Sequence, residues 1–147
     1  MRHADYRTAS GDADYRRIDL ALIFAEMRRR TFRQIRARTE SGFHHYVYVV
    51  LLAPAAGRLA RVQRENPRRD IAKPCLYVGM SGLPPEERFA NHKKGLKAAR
   101  IVQRYGVRLL PELYECFNPM PFDAAAEMER ELAIDLRAQG YTVTGGH

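Results

Sequence analysis

The stretch CLYVGMSG, residues 75–82, predicts a strand that serves a functional site. Its first residues are apolar or β-branched, which is typical of a buried β-strand. Tyr77 adds a phenol to this strand, and Gly79 frees the backbone two residues later. A strand that only fills a core needs neither feature, whereas a strand that carries a phenol to the edge of a cleft can use both.

A second strand is predicted upstream, over residues 44–53 (HHYVYVVLLA), from its β-branched and aromatic content. Residues 54–74 lie between the two strands and are polar, basic and bounded by prolines, which predicts an extended loop or excursion. Two strands that flank such an excursion suggest an antiparallel pair. Because side chains repeat every second residue along a strand, Tyr46 and Tyr48 share one face of the upstream strand.

The segments that follow residue 82 alternate between helical and strand patterns. Prolines and acidic residues open the first segment and a glycine ends it, as is typical of a helix. Asp123 can cap the last helix, because a short acidic side chain accepts hydrogen bonds from the first turn. We therefore expect helices over residues 84–95, 96–106 and 123–138, a third strand within residues 107–117, and a short last strand that residues 141–145 can add.

These elements predict an α+β fold: a small, mainly antiparallel three-stranded sheet flanked by helices, with an added N-terminal helix. The globular domain is expected over residues 43–147. Residues 1–16 mix Asp, Ser, Gly and Arg without periodicity and predict a flexible tail. Residues 17–42 predict an arginine-rich N-terminal helix, which either lies on nucleic acid or presents an ordinary solvated face.

The composition favours a polyanionic partner. The chain has 147 residues, enough for one domain, with 25 Lys and Arg against 17 Asp and Glu and a formal net charge of +8. Such a balance favours nucleic acid through phosphate neutralisation, the alternative being an ordinary basic surface. No apolar run approaches the roughly 20 residues that a membrane helix requires, and no secretory signal is seen, so no membrane partner and a cytoplasmic location are expected. Two cysteines, Cys75 and Cys116, predict reduced thiols and no zinc site.

Glu129 stands out on the last predicted helix. At about 100° per residue, its position falls within an apolar stripe, whereas Glu127 and Glu131 project to the opposite side. A carboxylate that faces a core is costly unless it is paired, hydrogen-bonded or bound to a metal. Two interpretations stay open, a salt bridge to a buried arginine and a lone ligand for a hard divalent cation such as Mg²⁺. The stripe consists of Ala125, Met128, Leu132 and Leu136.

Arg88 and His92 follow the CLYVGMSG strand directly and share one helical face, since they are four residues apart. Arginine suits phosphate, because its planar fork donates two hydrogen bonds and never loses its charge. Histidine can shuttle a proton or donate to phosphate near neutral pH. Such a pair alone is typical of a surface, but its proximity to Tyr77 and Gly79 indicates a site.

Together these residues resemble the GIY-YIG nuclease superfamily. That family's pattern is two short tyrosine-bearing strand motifs, here YVY at 46–48 and YVG at 77–79, then a helix with an arginine and a polar residue four on, then a late glutamate. The resemblance covers roughly residues 43–143. It implies a GIY-YIG-like fold and a metal-dependent endonuclease that hydrolyses phosphodiester bonds of nucleic acid with a single Mg²⁺ or Mn²⁺ ion, DNA being favoured over RNA.

The resemblance also implies roles for individual residues. Tyr48 would orient or deprotonate the attacking water, and Tyr77 would position the substrate or the water. Arg88 would neutralise charge that grows on the phosphate, and Glu129 would bind the metal. His44, His45 or His92 would assist, and Gly79 would let the backbone approach a substrate phosphate closely. For contacts to the nucleic-acid backbone, the candidates are Lys93, Lys94, Lys97, Arg64, Arg68 and Arg69.

The sequence departs from the family's pattern in three respects. Tyr46 stands where glycine is usual, the connection between the two strands is long, and the family's late asparagine has no clear equivalent, although Thr142 or Thr144 sits near its place. Two other functions stay open. The scaffold could bind nucleic acid without cutting it, or the arginine-rich N-terminal helix of an ordinary basic protein could dock on a partner. Oligomeric state is not predicted.

Overall fold

The computed structural model describes residues 42–147. The predicted tail over residues 1–16 and the predicted helix over residues 17–42 lie outside the described residues, apart from Gly42. Short 3₁₀ helices occupy Pro54–Arg58, Pro111–Leu113 and Glu115–Phe117. The described strands and α-helices are, in order, β1 (Tyr46–Leu52), α1 (Ala60–Glu65), β2 (Cys75–Ser81), α2 (Pro85–Lys94), α3 (Arg100–Tyr105), β3 (Gly106–Leu109), α4 (Phe122–Ala138) and β4 (Thr142–Gly145).

The four strands form one mixed sheet in the order β3-β1-β2-β4. Strand β1 pairs antiparallel with both β2 and β3, and β4 pairs parallel with β2. The α+β class and the antiparallel β1–β2 pair are confirmed, but the prediction of a mainly antiparallel three-stranded sheet is wrong. The helix α4 carries the chain back along the sheet before β4 begins, so that β4 runs in the same direction as β2.

Helices cover both faces of the sheet. Six consecutive residues of β1, Val47–Leu52, are buried, which requires packing on both sides of the strand. Helices α2 and α3 contact β1 and β3, whereas α4 contacts β1, β2 and β4. The apolar stripe predicted on α4 faces this core, since Ala125, Met128, Leu132 and Leu136 are all fully buried.

The connection between β1 and β2 differs from the extended excursion that the sequence predicts. It forms a 3₁₀ helix and then α1, which packs against β4. Val62 of α1 is fully buried. Asn66 donates to the carbonyls of Val62 (2.7 Å) and Val143 (2.9 Å) and accepts from the Val143 amide (2.8 Å). These contacts give the connection a fixed position on the sheet edge.

The helix ends follow the predicted signals in part. Gly95 ends α2 with φ +83°, a left-handed conformation that glycine adopts without strain. Asp123, in contrast, is not the cap of α4. It lies in the first turn, because Pro121 occupies the capping position and no side chain caps the helix there.

Among the described residues, no helix has both the length and the apolar character needed to cross a membrane.

Candidate active site

The register of β1 and β2 brings the two predicted catalytic tyrosines onto one face of the sheet. Tyr48 lies opposite Gly79, and Val50 lies opposite Tyr77. Residues directly opposite each other point to the same side, so Tyr48 and Tyr77 are diagonal neighbours. Their ring centroids are 6.2 Å apart. Two phenols from adjacent strands therefore share one site.

Gly79 is needed for this arrangement. A Cβ added to it would lie 2.7 Å from both Cζ and Oη of Tyr48 and 2.9 Å from Cε2 of Tyr77. Gly79 therefore makes room for a phenol ring, and the expected approach of a substrate phosphate to its backbone stays a prediction. The phenol ring of Tyr48 lies over Gly79, and it can do so because glycine has no side chain.

His92 completes a cluster of three rings. Its Nε2 lies 2.8 Å from Oη of Tyr48, and its ring centroid is 6.0 Å from those of both Tyr48 and Tyr77. The backbone amide of Ala99 donates to Nδ1 at 3.0 Å. Since Nδ1 accepts a hydrogen bond, the proton of a neutral imidazole must reside on Nε2. His92 therefore donates to Tyr48, and the phenolic hydrogen of Tyr48 is left for another acceptor.

Burial and charge keep these groups uncharged. Desolvation, helped by the nearby Arg88 charge, lowers the pKa of His92 from 6.5 to about 4, so this imidazole is neutral at pH 7. Desolvation also raises the pKa values of Tyr48 and Tyr77, and the Arg88 charge opposes both of these increases. In the free protein Tyr48 is therefore a protonated phenol that can donate a hydrogen bond.

Arg88 is held by the turn that follows α2. Its guanidinium donates to the carbonyls of Leu96 (3.3 Å) and Lys97 (2.8 Å). Its charge acts on both tyrosines and on His92, as their pKa values record. An arginine fixed in this way can present its remaining donors to an anion without first losing much side-chain freedom.

Glu129 is buried on α4, with 7% of its surface exposed. No hydrogen bond or ion pair joins its side chain to another described residue, so the salt bridge to a buried arginine is not seen there. Burial raises its pKa from 4.5 to about 7, an effect that the Arg130 charge opposes. Its own charge raises the pKa values of Tyr48 and Tyr77, so it lies within electrostatic range of both rings.

The predicted metal site contains one carboxylate, that of Glu129, and no preformed set of ligands among the described residues. Within residues 42–147 no group of three or more His, Cys, Asp and Glu residues is arranged to hold a metal ion. A buried carboxylate with no partner among these residues still fits Mg²⁺ or Mn²⁺, because such ions are often held by one or two carboxylates with water and substrate phosphate. The donor set therefore suits a metal that binds together with its substrate.

Two of the six predicted nucleic-acid contacts use their side chains to bind backbone carbonyls of the fold. Lys93 donates to the carbonyls of Gln103 (2.9 Å) and Gly106 (3.0 Å), where it fastens the end of α3. Arg69 donates to the Asn66 carbonyl at 3.1 Å. The remaining four have exposed side chains, Lys94 and Lys97 at the end of α2 or just after it and Arg64 and Arg68 in the β1–β2 connection.

Sequence reasoning missed a contributor at this site and left another undecided. The amide of Ala99 fixes the proton on His92, and no side-chain pattern signals a backbone donor. Of the two threonines considered near the family's asparagine position, Thr144 pairs with Tyr77 in the parallel ladder and lines a cavity beside it. Thr142 pairs with Cys75, at the far end of β2. The strand register would have been needed to choose between them.

No family model matches the chain, and neither the curated proteins nor the solved structures include one that is significantly similar to it. The resemblance to the GIY-YIG nucleases stays a prediction from the residues quoted above.

Proposed function

We propose that this chain is a metal-dependent nuclease that hydrolyses phosphodiester bonds of nucleic acid, with DNA favoured over RNA. The proposal rests on one observation: the ring cluster of Tyr48, Tyr77 and His92 lies within electrostatic range of two charged side chains. Arg88 and Glu129 come from different helices, and both act electrostatically on the two phenols. A core that needed only packing would not gather a guanidinium, a neutral imidazole and an unpaired buried carboxylate around two phenols.

A divalent cation, Mg²⁺ or Mn²⁺, is the cofactor that this proposal requires, and Glu129 is the residue that would hold it. When bound there, the ion would polarise the scissile phosphate and stabilise the leaving oxygen. The raised pKa of Glu129, about 7, means that the carboxylate is only partly charged near neutral pH without a cation. A positive ion favours the charged form and would lower that pKa.

The residues of the chain then have separable tasks. Arg88 neutralises negative charge on the phosphate as the transition state forms. The Nε2–H group of His92 donates a hydrogen bond to Tyr48 Oη, which leaves the phenolic hydrogen of Tyr48 to orient a water or a phosphate oxygen. Burial raises the pKa of Tyr48 and so disfavours the phenolate that could remove a proton from water. We therefore favour a role for Tyr48 in orienting the water over one in deprotonating it.

The test is cleavage of labelled single- and double-stranded DNA and RNA with Mg²⁺ or Mn²⁺, comparing wild type with Glu129→Gln. We expect cleavage that EDTA abolishes and that falls by about 100-fold or more in the variant. The matched control is Glu127→Gln on the same helix, since Glu127 is half-exposed and pairs with Arg130 at 2.7 Å. Binding of nucleic acid by all three proteins without any cleavage would contradict the proposal and favour a non-catalytic binding module.

A further inference from the structure

Two adjoining cavities form one groove that leads away from the ring cluster. The smaller, about 270 Å³, is lined by Tyr77 and Thr144 of the sheet and by Arg61 and Arg100. The larger, about 720 Å³, is lined by α1 and α3 and includes Arg61, Arg100 and Arg104. Both cavities share Arg61, Arg100 and Ile101. We call the two neighbouring cavities together the arginine groove, after Arg61, Arg100 and Arg104.

The arginine groove carries an excess of positive charge. All three arginines are exposed, and no hydrogen bond or ion pair joins their side chains to other described residues. Glu65 is the one acidic residue, among those described, that lines either cavity. Arg100 and Arg104 are one helical turn apart, while Arg61 comes from the β1–β2 connection. Unpaired guanidiniums from two separate segments around one groove point to an anionic ligand with several charges.

The rest of the lining is apolar or aromatic. Leu59, Ile101 and the half-buried Tyr105 contribute to the larger cavity. Aromatic side chains stack on nucleic-acid bases, and do so only when the bases are unpaired and unstacked from their neighbours. A volume of about 720 Å³ is also in the range of pockets that enclose small ligands. Guanidinium groups suit the phosphate of a nucleotide, and the ring of Tyr105 suits its base.

We propose that the arginine groove binds an unpaired strand of the nucleic-acid substrate, next to the phosphate that is cut. Arg61, Arg100 and Arg104 contact successive phosphates, and a base lies against Tyr105. The inference rests on the proposed function, since Tyr77 joins the groove to the ring cluster. It assigns binding to residues other than the six that the sequence suggested, and it gives the long β1–β2 connection a task, which is to supply Arg61.

The test is binding of a fluorescein-labelled oligothymidylate, measured by anisotropy in EDTA so that no cleavage intervenes. The groove variant replaces Arg61, Arg100 and Arg104 with Ala. The charge-matched control replaces Arg64, Arg68 and Lys94 with Ala, three exposed residues among the six contacts that the sequence suggested, so that the two assignments of binding are compared at equal charge. We expect the groove variant to weaken binding at least about tenfold and to reduce the salt-dependence slope by about 2, and the control to change both much less.

Tyr105 provides a second, charge-independent readout. Tyr105→Ala is expected to weaken binding by about tenfold, whereas Tyr105→Phe should bind like wild type, because stacking needs only the ring. Circular dichroism checks that each variant is folded.

The outcomes separate the two proposals. Metal-dependent cleavage by wild type, with equal binding by the groove and control variants, would overturn the groove inference alone. Groove-dependent binding without cleavage would support the groove and overturn the nuclease. A wild type that binds no oligonucleotide and cleaves no DNA or RNA would overturn both.

Discussion

Gly79 and Tyr48 form one structural unit across two strands. The phenol ring lies over the glycine, and the hydroxyl then reaches His92 at 2.8 Å. Without that space the ring would have to leave the face of the sheet, and its contact with Tyr77 would change as well. The absence of a side chain at residue 79 therefore determines the position of the phenol of Tyr48, a residue far away in the sequence.

We predict that Gly79→Ala lowers the free energy of unfolding by about 2 kcal/mol, because the added methyl overpacks the site. It should also break the hydrogen bond between Tyr48 and His92. Chemical denaturation measures the first effect, and the ¹⁵N shifts of the His92 ring measure the second. Gly57→Ala is the control, since a Cβ there meets no atom within 4 Å. Equal stability of the two variants would contradict the prediction.

Side chains on one helix could be assigned from the sequence, and contacts between elements could not. The spacing around Glu129 is enough to predict its burial, because a helix turns by a fixed angle per residue. The shared face of Arg88 and His92 follows in the same way. Ala99 and Gly79 act through a backbone amide and through an absent side chain, and their partners depend on strand register and helix packing. Those features are set by the tertiary structure.

The β1–β2 connection becomes an ordered element through Asn66. Its side chain has 3% of its surface exposed and bonds to both the amide and the carbonyl of Val143. Arg137 also donates to Asn66 Oδ1 at 3.3 Å and to the Val143 carbonyl at 2.9 Å. Composition alone marks this connection as polar and basic. Its helix α1 depends on a buried Val62 and on these distant partners, which is why the sequence predicts an excursion instead.

We predict that Asn66→Ala lowers the free energy of unfolding by about 3 kcal/mol, because it removes the acceptor of the buried Val143 amide and the donors to the Val62 and Val143 carbonyls. Because α1 then loses its attachment to β4, amide hydrogen exchange in α1 should accelerate more than in α2. Arg64→Ala on the same helix is the control, since its side chain is exposed. A loss of stability no larger than that of Arg64→Ala would show that the connection is held by other contacts.

Two buried titratable groups with opposite preferences make the stability of the whole domain depend on pH. His92 has a folded pKa of about 4 against an ordinary 6.5, so its contribution is present above pH 6.5 and is lost as the pH falls toward 4. Glu129 has a folded pKa of about 7 against 4.5, so its contribution is present below pH 4.5 and is lost as the pH rises through 7. Between these limits the two trends oppose each other.

We predict that substitution of His92 or Glu129 removes that residue's contribution to the pH dependence of stability and leaves the contribution of the other. In EDTA, Glu129→Gln should gain stability relative to wild type as the pH rises from about 4.5 to 7, by roughly 3 kcal/mol. The advantage of wild type over His92→Gln should shrink by a similar amount as the pH falls from 6.5 to about 4. The measurement is the free energy of unfolding by chemical denaturation at several pH values, with Glu127→Gln as the control.

The two differences isolate the named groups, because all other carboxylates and histidines titrate equally in wild type and variant. Curves that run parallel to wild type would mean that Glu129 and His92 are solvated in the folded protein. The buried, unpaired carboxylate on which the metal proposal depends would then be absent. Opposite slopes would show that the fold keeps a carboxylate and an imidazole uncharged beside two phenols. Such a site costs stability, and a bound cation would reduce that cost by stabilising the charged form of Glu129.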